Sequence, residues 1–155
     1  MEIERKFLIK ELPGNLDTYP FHLIEQGYLN TDPVVRVRRQ DDEYYMTYKG
    51  KGFLAREEYN LPLNSNAYEH LLSKADGNII RKKRYLIPIE NSQLTIELDV
   101  FEGVFAPLII AEVEFTSIEE AESFTPPAWF KEDVTNNRLY TNSYLSTADP
   151  AQMRP

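Results

Sequence analysis

The chain has no cysteine. That absence removes disulfide frameworks, thiol nucleophiles and zinc–cysteine sites together, and with only His22 and His70 present a multi-histidine metal centre is not expected. Positive charge is in deficit. Seventeen Lys and Arg against twenty-five Asp and Glu leave a net charge of −8, the opposite of the basic surplus by which a general nucleic-acid binder neutralises phosphates. Long apolar runs are missing too: the longest, around Leu108-Ile109-Ile110-Ala111, falls far short of a membrane span. The opening MEIERKFLIK alternates charged with apolar side chains, unlike the uninterrupted apolar stretch of a signal peptide. These absences point to a soluble, cytoplasmic protein with neither nucleic acid nor membrane as partner.

What is present suffices for an ordered core: 155 residues, 42% of them hydrophobic, with ten tyrosines. A chain of this length buries roughly 70% of its unfolded surface without any covalent staple. One domain over residues 1–147 is expected, followed by a flexible tail at 148–155.

Period-two alternation dominates. It predicts eight strands, over 1–10, 22–30, 33–40, 43–49, 54–62, 78–88, 93–102 and 107–116, separated by turn signals such as Asn30-Thr31-Asp32-Pro33 and Gly50-Lys51-Gly52. Helices are predicted over 64–75, with a cap among Asn64, Ser65 and Asn66; over 118–124, capped by Ser117; and over 136–147. Pro126-Pro127 stops the second helix, and Trp129 is expected to anchor the following segment. The fold class is α+β, a large antiparallel sheet or barrel with interspersed helices.

The distribution of charge on these strands narrows the choice. Side chains at i and i+2 share a face, about 6.6 Å apart. Glu2, Glu4 and Lys6 fall together, as do Arg36 with Arg38, Lys82 with Arg84, Glu97 with Asp99, and Glu112 with Glu114, while Val35, Val37, Leu98, Val100, Ala111 and Val113 take the opposite faces. A single strand of this kind reads as a half-wet sheet. Repetition changes the reading, because two like charges 6.6 Å apart repel by about 2.5 kcal/mol at an effective dielectric near 20. A solvated sheet gains nothing from such pairs. An enclosed site uses them: carboxylates hold hard divalent cations through oxygen, and an Arg/Lys wall recognises phosphate. The expectation is an inside-out barrel, with Lys6, Arg36, Arg38, Lys49, Lys82 and Arg84 facing Glu2, Glu4, Glu58, Glu97, Asp99, Glu112 and Glu114 across an ionic interior. Arg39 and Lys83, of opposite parity, are expected to face outward. The ligand that suits both walls is a polyphosphate carried with a metal ion.

Glu2-Ile3-Glu4-Arg5-Lys6 resembles the N-terminal E-x-E-x-K signature of the CYTH superfamily, the triphosphate tunnel metalloenzymes. Further elements follow in the same order: Gln26-Gly27-Tyr28-Leu29, Arg36-Val37-Arg38, Lys49, Glu58, Lys82-Lys83-Arg84-Tyr85, Glu97-Leu98-Asp99-Val100-Phe101, Glu112-Val113-Glu114-Phe115 and the closing Val134-Thr135 with Tyr140-Thr141-Asn142-Ser143. The chain is most similar to the short bacterial inorganic triphosphatases of that superfamily. The resemblance implies an eight-stranded antiparallel β-barrel tunnel with flanking helices. It also implies metal-dependent hydrolysis of inorganic triphosphate to pyrophosphate and phosphate. Glu2, Glu4, Asp99, Glu112 and Glu114 would then bind Mg²⁺ or Mn²⁺, with Glu97 a ligand or a positioner of ligands. Lys6, Arg36, Arg38, Lys49, Lys82 and Arg84 would grip the phosphates, with Tyr28 and Arg56 as further contacts. Catalytic roles are expected of Lys6, Arg38, Glu58, Lys82 and Arg84. One departure is Leu139, where the family often has a basic residue; here Arg138 lies one position earlier.

Rival readings keep the barrel and change the ligand. A nucleoside or thiamine triphosphate hydrolase, or a class IV-type adenylate cyclase, needs a pocket for the organic group, for which Tyr28, Tyr44 and Tyr48 are candidates. A non-catalytic polyphosphate-binding module is the alternative outside enzymes. A homodimer is possible but not forced, since barrel closure removes strand edges.

Overall fold

Strand alternation builds the molecule, and the computed structural model describes residues 1–149. The strands are β1 (Glu2–Ile9), β2 (Phe21–Thr31), β3 (Val34–Gln40), β4 (Glu43–Lys49), β5 (Ala55–Arg56), β6 (Glu58–Leu63), β7 (Asp76–Pro88), β8 (Thr95–Phe101), β9 (Ile109–Glu114) and β10 (Phe130–Asp133). The helices are α1 (Ser65–Leu72), α2 (Ile118–Ser123) and α3 (Asn142–Leu145). One antiparallel sheet runs in the order β10-β1-β9-β8-β7-β2-β3-β4-β6. It curls shut because β6 pairs with β4 while β5, immediately before it, pairs with β1 at Glu2–Arg56 and Ile3–Ala55. Counted as one stave interrupted at Glu57, β5 and β6 complete an eight-stave barrel. Among the described residues the strands number ten, not eight, because that stave is split and because β10 adds to the free part of the same β1 edge, Phe7 facing Asp133.

The helix ends follow their caps. The Asn64 side chain accepts the Ala67 N–H at 2.8 Å, and Ser117 Oγ accepts the Glu120 N–H at 3.0 Å. Glu120 in turn accepts the Thr116 N–H at 2.9 Å, closing a reciprocal cap. At the other end of α2, Arg5 donates to the carbonyls of Ala121 and Phe124. The expected helix over 136–147 is instead two short pieces, a 3₁₀ turn at Arg138–Tyr140 and α3. Asn137 caps the first and Thr141 caps the second, its hydroxyl accepting the Tyr144 N–H at 3.2 Å, so the chain restarts rather than continues. Of the expected tail, Ala148 is docked, its carbonyl accepting from Asn78 Nδ2 at 2.9 Å; residues 150–155 lie outside the described residues.

Two apolar clusters divide the work. Outside the barrel wall, Phe7, Ile87, Ile96, Leu98, Ala111, Val113 and Phe115 bury against Ala121 of α2 and Phe130 of β10, with Trp129 and Phe124 packed at the margin. Trp129 meets Phe130 edge-on at 4.7 Å. Inside, the ionic lining stops where β2 and β8 end and β3, β7 and β9 begin. There Tyr28, Val34, Ile80, Phe101 and Ile110, on the same parity as the charged residues, close over Phe105, Leu108 and Leu145. The interior is thus ionic for part of its length and hydrocarbon at one end. Among the described residues no helix is long and apolar enough to cross a membrane.

Candidate active site

The inward-facing charges surround one cavity of about 220 Å³. Glu2, Glu4 and Lys6 come from β1, Tyr28 from β2, Arg36 and Arg38 from β3, Lys49 from β4, Arg56 and Glu58 from the split stave, Arg84 from β7, Glu97 from β8, and Glu112 and Glu114 from β9. Lys82 and Asp99 share their parity but are fully buried behind the lining. Arg39 and Lys83 lie outside, over the rings of Tyr44 at 5.8 Å and Phe21 at 5.2 Å. His22 pairs with Asp41 at 2.6 Å and takes no part in the cavity.

Strand register creates the acidic wall. Glu4 stands opposite Glu114, and Glu97 opposite Glu112, as direct cross-strand partners, an arrangement that destabilises a sheet unless something offsets it. Burial and then the Glu4 charge push the Glu114 carboxyl up. Burial likewise raises Glu97, against the pull of Arg84. Glu112 is the exception: burial opposes its ionisation, but Lys6 and Arg84 hold it well below the usual carboxylate range. Glu2 is raised to about 8 by burial, by its hydrogen bond with Glu58 and by Glu4. Glu58, despite its own burial, is drawn down to about 2 by that bond and by Lys49. The two carboxyls therefore share one proton at neutral pH. Among the described residues no three acidic or histidine groups already converge as a cage; the donors stand in pairs. Their chemistry, all carboxylate oxygen, with Glu4 held only by a 3.8 Å ion pair to Lys6 and facing Glu114 across the strands, suits a hard divalent cation.

The basic wall is held differently. Arg38 donates from Nε to Gln26 Oε1 at 2.7 Å, and burial followed by Arg36 and Arg84 lowers its pKa. Arg36 donates to Thr47 Oγ1 at 3.2 Å, while its Nε, like that of Arg56, is buried without a hydrogen bond. Such orphan donors are costly and an anionic oxygen satisfies them. Lys49 lies 3.0 Å from Glu2 and 3.5 Å from Glu58, and Lys6 lies 3.8 Å from both Glu4 and Glu112.

Arg84 is committed almost entirely to carboxylates. It forks onto Asp99 at 2.7 and 2.9 Å and reaches Glu97 and Glu112, each at 3.2 Å. Lys82 closes the same cluster, 2.7 Å from Asp99 and 3.0 Å from Asn142 Oδ1. Burial pushes the Lys82 ammonium down to about 7 against the pull of Asp99.

Sequence reasoning assigned no role to Gln26, Gln40, Tyr45, Asn142 or Ser143, of which all but Gln26 line the cavity. Gln26 and Asn142 stood within motif segments, and the parity shared by Gln26 and Tyr28 was a usable signal; a helix-like closing segment gave none. Tyr44 and Tyr48, candidates for an organic group, are on the outer face, their rings tilted against those of Tyr68 at 5.2 Å and Tyr59 at 6.2 Å. A second, open cavity of about 450 Å³ adjoins the first through Val34, Arg56 and Ser143, and carries Lys51, Phe53, Arg138 and Tyr144. Arg138 stacks on Tyr144 at 5.7 Å, so the basic group displaced by Leu139 reaches this outer cavity.

The CYTH domain family matches residues 1–151. An inorganic triphosphatase of Nitrosomonas europaea is 42% identical over 153 residues, covering 96% of this chain and 99% of that protein. An inorganic triphosphatase of Acetivibrio thermocellus is 35% identical, covering 93% and 92%. Among solved structures, the inorganic triphosphatase NE1496 superposes with a TM-score of 0.73 at 37% identity over 97% of both chains.

Proposed function

The chain belongs to the CYTH domain family, and from that membership we propose that it hydrolyses inorganic triphosphate to pyrophosphate and phosphate with the help of a divalent cation, Mg²⁺ or Mn²⁺. The observation that carries this reading is a carboxylate wall facing an Arg/Lys wall across one cavity of about 220 Å³. Two full-length relatives named inorganic triphosphatase support it.

Glu4 and Glu114, with Glu2, Glu97 and Glu112, supply oxygens for the cation. Bound there, the cation offsets charge on the transferring phosphoryl group and acidifies water. Asp99 has both oxygens occupied by Arg84 and Lys82; its role is to aim Arg84, which in turn spaces Glu97 and Glu112. Arg36, Arg38, Arg56, Lys6 and Lys49 hold the substrate oxygens in line and stabilise charge as the terminal P–O bond breaks. Water supplies the new oxygen on phosphate, and the leaving pyrophosphate takes up charge beside Arg36 and Arg38. Tyr28 borders both the cavity and the apolar plug, a position from which it would limit how deep the chain of phosphates enters. Glu58 holds the Glu2 proton through their hydrogen bond, and Glu2 would have to give that proton up to serve as a cation ligand. A cytoplasmic location accords with this substrate.

The outer cavity, with Phe53 and Tyr144 beside Lys51 and Arg138, favours a second reading in which a nucleoside or thiamine rests there and its triphosphate enters the barrel. A panel of tripolyphosphate, ATP and thiamine triphosphate, read as phosphate, pyrophosphate and cyclic nucleotide, decides between them. Fastest release from tripolyphosphate supports the first reading, and preference for an organic triphosphate the second. Tight tripolyphosphate binding without turnover in either metal makes the protein a binding module.

A further inference from the structure

Two buried amides link the phosphate-facing arginine wall to the closing segment. Gln26 is wholly buried on β2, and Asn142 is 8% exposed at the start of α3, 116 residues further along the chain. Gln26 Oε1 accepts from Arg38 Nε at 2.7 Å, Gln26 Nε2 donates to Asn142 Oδ1 at 3.3 Å, and the same Oδ1 accepts from Lys82 Nζ at 3.0 Å. Lys82 continues to Asp99, and Asp99 to Arg84.

The chemistry of the ends dictates the orientation of the middle. An arginine Nε–H only donates, so Gln26 must turn its carbonyl to Arg38 and its NH₂ toward α3. Asn142 must then present an acceptor, and that acceptor is what a lysine ammonium also needs. Each group in the chain has one orientation that satisfies its neighbours, and the low dielectric makes any other orientation costly. With Nε held, the Arg38 guanidinium has its rotation fixed and its remaining N–H groups face Tyr45 and the cavity.

We propose that Gln26 and Asn142 are positioning residues that set the aim of Arg38, so that docking of α3 is coupled to recognition of the phosphate chain. The proposal rests on the triphosphatase reading for its substrate, but the relay is a property of the fold and is testable by binding alone.

A double-mutant cycle tests it. Asn142→Leu removes the acceptor at similar size, and Arg38→Ala removes the group said to be aimed. Asn142→Leu is expected to lower kcat/KM for tripolyphosphate at least tenfold in the parent protein, yet less than twofold in the Arg38→Ala background. Asn142→Asp, which keeps an acceptor, is expected to recover most of the kcat lost by Asn142→Leu. Gln26→Glu retains the bond to Arg38 but turns an acceptor toward Asn142, and is expected to lose at least tenfold. Equal losses from Asn142→Leu in both backgrounds overturn the proposal, as does an Asn142→Asp variant as poor as Asn142→Leu. Should Asn142→Leu fail to fold, the same cycle with Gln26→Glu gives the answer. Calorimetric binding of tripolyphosphate, run on the same variants, separates the two claims: absent turnover with a non-additive binding cycle contradicts the triphosphatase reading alone, and an additive binding cycle contradicts the relay.

Discussion

The proton shared by Glu2 and Glu58 makes the site sensitive to pH in two windows of opposite sign. Glu58 lies near 2 in the folded protein against an ordinary 4.5, so the stability it contributes is present above 4.5 and lost as pH falls toward 2. Glu2 lies near 8 against the same 4.5; the folded state keeps a proton that the unfolded chain has released, and its contribution declines as pH rises from 4.5 to 8. The cation-free melting temperature is therefore expected to fall between pH 5 and 8, and Glu2→Gln is expected to flatten that fall; an unchanged slope in the variant contradicts the assignment. The same proton must leave before Glu2 can bind a cation, so metal affinity should increase through pH 8 in a titration that also counts protons released. Asp99 presents a different case, a buried charge with two cationic partners at 2.7 Å. Asp99→Asn leaves Lys82 without its carboxylate and Arg84 without its forked partner, and is expected to cost about 3–5 kcal/mol in urea unfolding, with tenfold or greater loss of cation affinity because Arg84, which spaces Glu97 and Glu112, loses the group that aims it.

At the scale of elements, α1 shows how tightly the barrel wall is covered. A Cβ on Gly27 of β2 would come within 2.8 Å of both Ala75 Cβ and Leu72 Cδ1. Gly27→Ala is expected to push α1 off the wall and destabilise by about 1–3 kcal/mol, read by urea denaturation, with tripolyphosphate KM almost unchanged because α1 lies on the outer face. Helix starts were legible in the sequence wherever one side chain decided them, as Asn64 and Ser117 did. The closing segment was not, because Asn137 and Thr141 both cap and so divide one amphipathic pattern into two pieces. Nor was β10: Lys131, Glu132 and Asp133 carry no alternating apolar residues, and the strand exists because the β1 edge beyond β5 offers unpaired backbone groups. The break at Glu57 arises similarly from tertiary demand, since the stave changes partner there from β1 to β4.

Over the whole molecule, parity carried the reading furthest. An i,i+2 rule placed Glu4, Arg38 and Glu114 at one cavity because every strand has one face inward and one outward, whatever its neighbours. It did not distinguish residues that line the cavity from those behind it, so Lys82 and Asp99 share the parity of Arg84 and Glu97 yet are wholly buried. It also did not mark where the ionic interior gives way to the plug of Tyr28, Ile80, Phe101 and Ile110, because that boundary depends on how far the strands are sheared against one another. In a chain of net charge −8 the barrel still turns Arg36, Arg38, Lys49 and Arg56 into one cavity, which is where a polyanion finds cations, and the acids of β1 and β9 line the same cavity. The most direct test is release of phosphate and pyrophosphate from tripolyphosphate by the purified protein, with and without Mg²⁺ or Mn²⁺, alongside Glu4→Gln and Glu114→Gln. Equimolar release that requires the cation and falls at least a hundredfold in both variants is the expected result; equal rates without cation, or near-parent rates in both variants, contradict the two-wall site.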